Sequence, residues 1–241
     1  MNAFIRVENL VGKDAYRKLK DASVAVFGVG GVGGYTVEAL ARCGVGRIAL
    51  FDSDTVDESN INRQIIADYS TLGGDKVAVM CERLKKINPE ISVECNKVFY
   101  LPENAEKFDL SKYDYIVDAV DTVSAKIEII NRAKNLGVPV ISCMGTGGKL
   151  DTTKLKVSVI EKTSGCPLAR VMRRELKARG ISGVKVVYSE EQTAVACDND
   201  HLQKKADGKI APPSMIFVPS VAGLMLAKEV VFDIINNGET L

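Results

Sequence analysis

The chain has a single histidine, His201, and no two cysteines at C-x-x-C spacing. Its six cysteines, Cys43, Cys81, Cys95, Cys143, Cys166 and Cys197, are scattered. That argues against a structural zinc site and, in a reducing compartment, against disulfides. His201 has no Cys or His at ligand spacing and is given no role. Neither sign of charge is in excess, with 32 Lys and Arg against 31 Asp and Glu. No overall field therefore advertises a polyanionic partner, and any basic surface has to be local. No apolar run approaches the roughly 18 residues of a membrane helix, and the N-terminus lacks the apolar core of a secretory signal. The chain is expected to be cytoplasmic, with no membrane partner. It contains no internal repeat and no low-complexity tract.

At 241 residues the chain is long enough for one large α/β domain, or for such a domain with a substrate-handling extension. Residues 1–22 read as a helical arm with Arg6 near its start. Ser23 to Phe27 is nearly all apolar, as a strand buried on both faces should be. Tyr35 to Arg42 carries helix formers and stops at Cys43-Gly44, and Arg47 to Phe51 is a second strand. Together they make a βαβ unit of ordinary size. Further strands are expected at 91–99, 113–120 and 138–142, with helices at 76–87 and 124–136. This alternation predicts an α/β fold, a doubly wound and mostly parallel sheet of Rossmann-like type. From Lys154 the pattern changes: strands at 155–160 and 184–188 flank a basic helix over 167–179. The stretch 189–214 has no clear periodicity and reads as a functional loop. An apolar helix over 221–235, started by Pro219 and stopped by Asn237-Gly238, closes the chain. We expect a larger α/β part with its helical arm over 1–150 and a smaller strand-helix extension over 151–241, within one compact unit.

Between the first strand and the first helix of that unit stand four glycines in six residues, Gly28, Gly30, Gly31 and Gly33. The spacing fits G-x-G-x-x-G, in which glycine lets the backbone approach phosphate oxygens and the helix N-terminus offers unpaired N–H groups. Asp52, 24 positions after Gly28, closes the second strand, where a carboxylate can accept from ribose hydroxyls. So far a redox dinucleotide and a nucleotide consumed in reaction are equally served. Arg63, Lys76 and Asp121 favour the second. Two cations and a carboxylate near one crevice suit a triphosphate with Mg2+, the cations neutralising phosphate oxygens and the carboxylate holding the metal. Taken singly, Arg63 and Lys76 also read as solvated charges, and Asp121 as the N-cap of the helix from Ser124.

Six short motifs carry a resemblance: Gly28-Val29-Gly30-Gly31-Val32-Gly33, Asp52-Ser53-Asp54, Ser59-Asn60-Ile61-Asn62-Arg63-Gln64, Gly74-Asp75-Lys76, Ile87-Asn88-Pro89 and Asp118-Ala119-Val120-Asp121. In order and spacing over residues 6–150, with Pro219 to Gly223 in the last helix, they resemble the adenylating domain of ubiquitin-activating-type enzymes. The adenylyltransferases of sulfur-carrier pathways belong there too. Within that family the chain most resembles the branch that dehydrates threonylcarbamoyladenosine in tRNA. The segments that carry this are Arg6 to Gly12, Gly145-Thr146-Gly147-Gly148-Lys149-Leu150-Asp151, Pro167 to Arg170, Arg173 to Leu176, and Val187 to Glu190. The sulfur-carrier activators usually carry paired C-x-x-C zinc ligands, which this sequence lacks.

The resemblance implies ATP over the glycine turn, with Asp52, Asp54, Asn60, Arg63, Gln64 and Lys76 around it and Mg2+ on Asp121. It implies a homodimer in which Arg6 reaches the partner's phosphates, and tRNA bearing threonylcarbamoyladenosine as substrate. It leaves open a monovalent cation, Na+ or K+, near Gly145 to Gly148, and contact with cysteine desulfurase or sulfur-acceptor proteins. The alternative it allows is activation of the C-terminus of a ubiquitin-like sulfur carrier. A separate feature favours RNA. Arg170, Arg173, Arg174 and Lys177 fall at i, i+3, i+4 and i+7 of one helix, so they share a face whose mutual repulsion an anionic backbone would relieve. A solvated face paired with Glu175 is the plainer account. Cys166 and Cys197 read either as incidental or as thiols for a thioester, which dehydration does not need.

Overall fold

The computed structural model describes residues 3–192 and 212–236. Cys197, His201, most of the stretch 189–214 and the Asn237-Gly238 stop lie outside them. The arm is two helices, α1 (Ile5–Val11) and α2 (Lys13–Asp21), separated at Gly12, whose φ of +89° is left-handed backbone that interrupts a helix.

Among the described residues seven strands form one sheet: β1 (Ser23–Phe27), β2 (Arg47–Phe51), β3 (Ser92–Asn96), β4 (Tyr115–Asp118), β5 (Val140–Cys143), β6 (Leu155–Val159) and β7 (Lys185–Ser189). Their spatial order is β3-β2-β1-β4-β5-β7-β6. All pairs are parallel except β6 with β7, which is antiparallel. The helices are α3 (Gly33–Arg42), α4 (Lys76–Ile87), α5 (Val123–Asn135), α6 (Pro167–Ala178) and α7 (Phe217–Ile235). The expected α/β, doubly wound and mostly parallel sheet is thus present.

Side chains alternate across each strand. Val24 and Val26 of β1 join a core with α3, α4 and α7, whereas Ala25 and Phe27 join one with α5 and α6. On the second face Phe27 stacks on Phe51 at 4.3 Å between ring centroids, and Tyr100 meets Phe27 edge-on at 4.8 Å. Burial of such a ring is worth about 1.5–3 kcal/mol. Because β1 sends its chain to α3 on one face and β4 sends its chain to α5 on the other, winding reverses between β1 and β4. A crevice opens at such a reversal, outside the carboxyl ends of the strands.

Several boundaries differ from the sequence expectation: β3 and β4 are shorter at both ends, several other strands and helices shift by one or two residues, and the start of the last helix moves further. Helix α7 starts at Phe217, two residues before Pro219. A proline is tolerated there because first-turn N–H groups have no intrahelical partner. Pro219 and Gly223 also serve packing: a Cβ on Gly223 would lie 2.3 Å from the Val32 carbonyl oxygen, and one on Gly31 would touch Pro219 at 3.4 Å. The bare backbone of α7 is therefore what supports the glycine turn from behind, and the Thr36 hydroxyl donates to the Gly223 carbonyl over 3.0 Å.

Candidate functional site

The glycine turn leaves β1 at the reversal of winding. Gly28 has a φ of +88°, and a Cβ there would sit 2.7 Å from the Ala119 carbonyl oxygen, so the turn and the loop after β4 touch backbone to backbone. A Cβ on Gly33 would overlap the Gly28 carbonyl. Gly30 differs, because a Cβ there would meet nothing nearer than Nε2 of Gln64 at 3.8 Å. Backbone is bare at that point without a neighbour to require it, which leaves room above the turn for something outside the chain.

Asp52 follows directly on β2. Its Oδ2 accepts from the Val29 N–H at 2.6 Å and its Oδ1 from the Asp54 N–H at 2.9 Å. Burial pushes its carboxyl above the usual carboxylate range, while the Lys76 ammonium and both amides oppose the rise. The loop after β2 is stitched to the start of α4 by Lys76 N–H to the Asp54 carbonyl, Val56 N–H to Gly74 and Gly73 N–H to Val56. This ladder delivers Lys76, first residue of α4, to the Asp52 side of the crevice. Its side chain is 7% exposed and its Nζ lies 2.8 Å from Oδ2 of Asp54, which is 63% exposed. The two form one pair at the mouth, so Lys76 reaches an anion only while sharing its charge with Asp54.

Arg63 packs over Gly31, its Cγ 3.4 Å from where a Cβ would stand. Its Nη1 donates to the Ser59 carbonyl at 2.6 Å and to Oδ1 of Asn62 at 2.8 Å. Burial lowers its guanidinium from the usual range, yet an arginine stays charged in proteins. Asn60 is buried, and its Oδ1 accepts from the Asp57 N–H in a capping box that builds the short 3-10 turn Glu58–Asn60. Its side chain shapes the segment that presents Arg63. Gln64 is buried beside Gly30, and its Oε1 has no hydrogen-bond partner among the described residues. It is Nε2 of the same amide that faces Gly30, so Gln64 brings a buried polar group to the turn, and its unpaired oxygen calls for a partner from outside the chain, a water or a ligand.

Asp121 stands exposed after β4, on the loop that Ala119 presses against Gly28. It is not the helix cap, since Thr122 holds that position and makes no side-chain capping bond. Behind it lies a group that the sequence motifs do not include. Lys126 is fully buried, with Nζ 3.0 Å from Oδ2 of Asp118, 3.0 Å from the Val120 carbonyl and 2.7 Å from the Cys143 carbonyl. The Ser142 hydroxyl also donates to Asp118. The sequence does hold a signal for Lys126: it falls on the same helical stripe as Ile129, Ile130 and Ala133, where a lysine is out of place.

Arg6 lies exposed on α1, which packs on α2. On α6 the four cations do not form a single free face. Arg170 and Lys177 are exposed, and Arg174 is exposed but pairs with Glu175 at 2.8 Å. Arg173 sits at the boundary with the buried stripe of Ala169, Met172 and Leu176, and its Nη1 donates to the carbonyl and hydroxyl of Thr163. Glu175 also pairs with Arg179 at 3.0 Å, so the plainer account holds for part of this helix. Cys166 is 3% exposed at the base of α6, near Gly145, and is not an exposed thiol.

A full-length relative is the tRNA threonylcarbamoyladenosine dehydratase of Bacillus subtilis (strain 168), 42% identical over 246 residues, covering 99% of this chain and 97% of the relative. The enzyme of that name from Escherichia coli (strain K12) is 38% identical over 190 residues, 76% of this chain and 71% of the relative. A solved structure of the Escherichia coli tRNA N6-threonylcarbamoyladenosine dehydratase, in complex with ATP, superimposes with a TM-score of 0.86 at 31% identity. It covers 97% of this chain and 94% of that one. The model of the ThiF family matches residues 4–240, and the chain belongs to that family.

Proposed function

We propose that this protein is an ATP-dependent tRNA threonylcarbamoyladenosine dehydratase that works through adenylation of a carboxylate. The observation that carries the reading is the convergence at the β1–β4 reversal. Open space over Gly30 with the Gln64 amide beside it, the Asp52 carboxylate on the Val29 N–H, the Arg63 stem over Gly31, and Lys76 paired with Asp54 all border it. The ATP complex of the Escherichia coli relative supports ATP as the nucleotide.

ATP lies over the glycine turn, with the ribose against Asp52 and the phosphates toward Arg63 and Lys76; Asp54 shares Lys76, and Asn60 holds the turn that carries Arg63. Magnesium fits on donor chemistry, because Asp121 offers a hard carboxylate on the loop touching Gly28; when bound, the ion would neutralise phosphate charge. The carboxylate of the threonylcarbamoyl group attacks the α-phosphate, forming a C–O–P link and breaking the bond to pyrophosphate. A nucleophile of the same modified base then attacks the activated carbonyl, closes a ring and releases AMP, so one water is lost overall. No protein base is required for the first step, since the carboxylate is already ionised at neutral pH. The chain's task is alignment and charge neutralisation.

Residues 1–150 serve as the adenylating part and 151–241 as the substrate extension, with Arg170, Arg174 and Lys177 of α6 on the RNA backbone and Arg173 holding α6 in place. A homodimer, with Arg6 on α1 completing the partner's site, completes the reading. No helix among the described residues is long and apolar enough to cross a membrane, and an enzyme of tRNA works where tRNA is, in the cytoplasm.

The test is mass spectrometry of tRNA nucleosides before and after incubation with the protein, ATP and magnesium. Loss of one water from the modified adenosine is expected. An unchanged nucleoside, together with pyrophosphate exchange that depends on a ubiquitin-like carrier, would give the site to the sulfur-carrier reaction instead.

A further inference from the structure

We infer that Lys126 is a positioning residue: its ammonium fixes the 119–122 loop, and with it the Asp121 carboxylate, against the glycine turn. This rests on the reading of the crevice as the place where ATP is consumed.

Lys126 has three donors, and three acceptors surround them: Oδ2 of Asp118, the Val120 carbonyl and the Cys143 carbonyl, all within 3.0 Å. Asp118 in turn accepts the Val120 N–H on Oδ1 at 3.3 Å. The buried pair therefore holds both polar groups of Val120, the residue before Asp121. The Cys143 contact ties the same ammonium to the end of β5, just ahead of the Gly145 to Gly148 loop. On its other side the 119–122 loop meets bare backbone, because the Ala119 carbonyl occupies the place a Cβ of Gly28 would need. The loop is thus clamped between the glycine turn and one ammonium. Stability alone does not account for the pair, since well-packed apolar residues in place of a buried ion pair are often neutral or stabilising. What an apolar residue on the stripe of Ile129 and Ile130 could not do is donate to two carbonyls at once.

The experiment compares the full chain with the double variant Asp118→Asn/Lys126→Met, which removes both buried charges together and leaves neither unpaired. The single variant Lys126→Met, which strands Asp118, is a second arm. Melting temperature, KM for ATP, kcat for dehydration and amide hydrogen exchange are measured on each. In the double variant KM for ATP is expected to stay within about threefold of the parent, while kcat falls by roughly 100-fold, the size of effect a small misplacement of a reacting group produces. Exchange at Val120, Asp121 and Thr122 is expected to quicken by about tenfold or more, with β1 and β4 unaltered, as local opening of one loop would give. A folded double variant with parental exchange at 119–122, or with parental kcat, overturns the inference. A parent chain that does not dehydrate the modified adenosine would sink the functional reading instead, and the exchange rates would then judge Lys126 by themselves.

Discussion

The Val29 N–H donates to Oδ2 of Asp52 over 2.6 Å, so the carboxylate at the end of β2 holds the turn at the end of β1. The glycine turn is not a free loop; its backbone is anchored to the neighbouring strand by the same side chain proposed to meet the ribose. Substitution Asp52→Ala is expected to loosen the turn and remove the ribose acceptor together. A hydrogen bond to a charged group is worth about 1.5–3 kcal/mol, which corresponds to roughly a 10- to 150-fold rise in KM for ATP. A titration that finds the parental KM would take Asp52 out of nucleotide binding.

The same residue sets a pH dependence. Burial, more than anything that opposes it, raises the Asp52 carboxyl above its ordinary range. For an acid whose folded pKa is raised, the stabilising contribution is fully present only below the unfolded value and is lost as pH rises through the folded one. Ionised Asp52 is therefore expected to cost stability at neutral pH. Two trends are expected between about pH 4 and 7. KM for ATP should rise on acidification at a higher pH than an ordinary carboxylate would give. The Asp52→Asn variant should lack that limb and should gain melting temperature relative to the parent as pH increases. Parallel melting curves across this window would contradict the assignment.

Glycines in the turn should separate fold from function. At Gly28 an alanine meets the Ala119 carbonyl at 2.7 Å in left-handed backbone. Gly28→Ala is expected to destabilise the protein by at least about 1–3 kcal/mol. At Gly30 the alanine has room, so Gly30→Ala should melt within about 0.5–1 kcal/mol of the parent. It should nevertheless lose ATP affinity, because the methyl occupies the ligand's space. Calorimetry of both variants with and without ATP checks this, and undiminished ATP binding by Gly30→Ala would place the nucleotide elsewhere.

Arg63 and Lys76 are expected to act on the chemical step. Replacing either with Ala should lower pyrophosphate release by about 100- to 1,000-fold, the usual loss when one preorganised charge at a developing oxyanion is removed. Lys76 is 7% exposed and its ammonium offsets the burial of Asp52, so Lys76→Ala should also lower the melting temperature, and its kinetics are read on protein shown to be folded. Circular dichroism and rapid-quench kinetics on the two variants decide it; full turnover in either would strike that residue from the mechanism.

The centre of the sheet is legible in the sequence because β1, β4 and β5 are buried along their whole length, Ser23 to Phe27 above all, whereas β3 and β6 at the two edges are largely exposed or half-buried and carry polar residues. Helix α4 is legible to the residue, since Lys76 to Ile87 keeps one apolar stripe and Asn88-Pro89 ends it. Inferences from single residues are weaker. Pro219 reads as a helix start, although a proline is equally at home later in a first turn. Asp121 has the composition of a cap, yet the backbone makes Thr122 the capping residue. For Lys126, a charge on an apolar stripe signals a buried partner, and sequence alone does not say that Asp118, eight positions earlier, is that partner. The motif residues of the crevice are all evident from the sequence, but that Lys76 shares its charge with Asp54 is a fact of geometry.

Arg173 shows the same limit on α6 and yields the last prediction. Helical spacing places four cations on one face, but Arg173 lies at the edge of that arc, where its guanidinium turns inward to Thr163. Charge-assisted hydrogen bonds of this sort are worth about 1.5–3 kcal/mol, so Arg173→Ala should lower the melting temperature while leaving the salt dependence of tRNA binding nearly intact. Arg170→Ala/Lys177→Ala should do the opposite. Each phosphate that no longer meets a cation reduces the slope of log affinity against log salt by about 0.7–0.9, so the double variant should flatten the slope by roughly 1.4–1.8 at an unchanged melting temperature. Arg174, held by Glu175 in the absence of RNA, should contribute less, because binding a phosphate first requires giving up that pair. Filter binding over a range of salt concentrations, with a parallel melt of each variant, separates the two behaviours. A parental slope in Arg170→Ala/Lys177→Ala would return α6 to the role of a solvated helix.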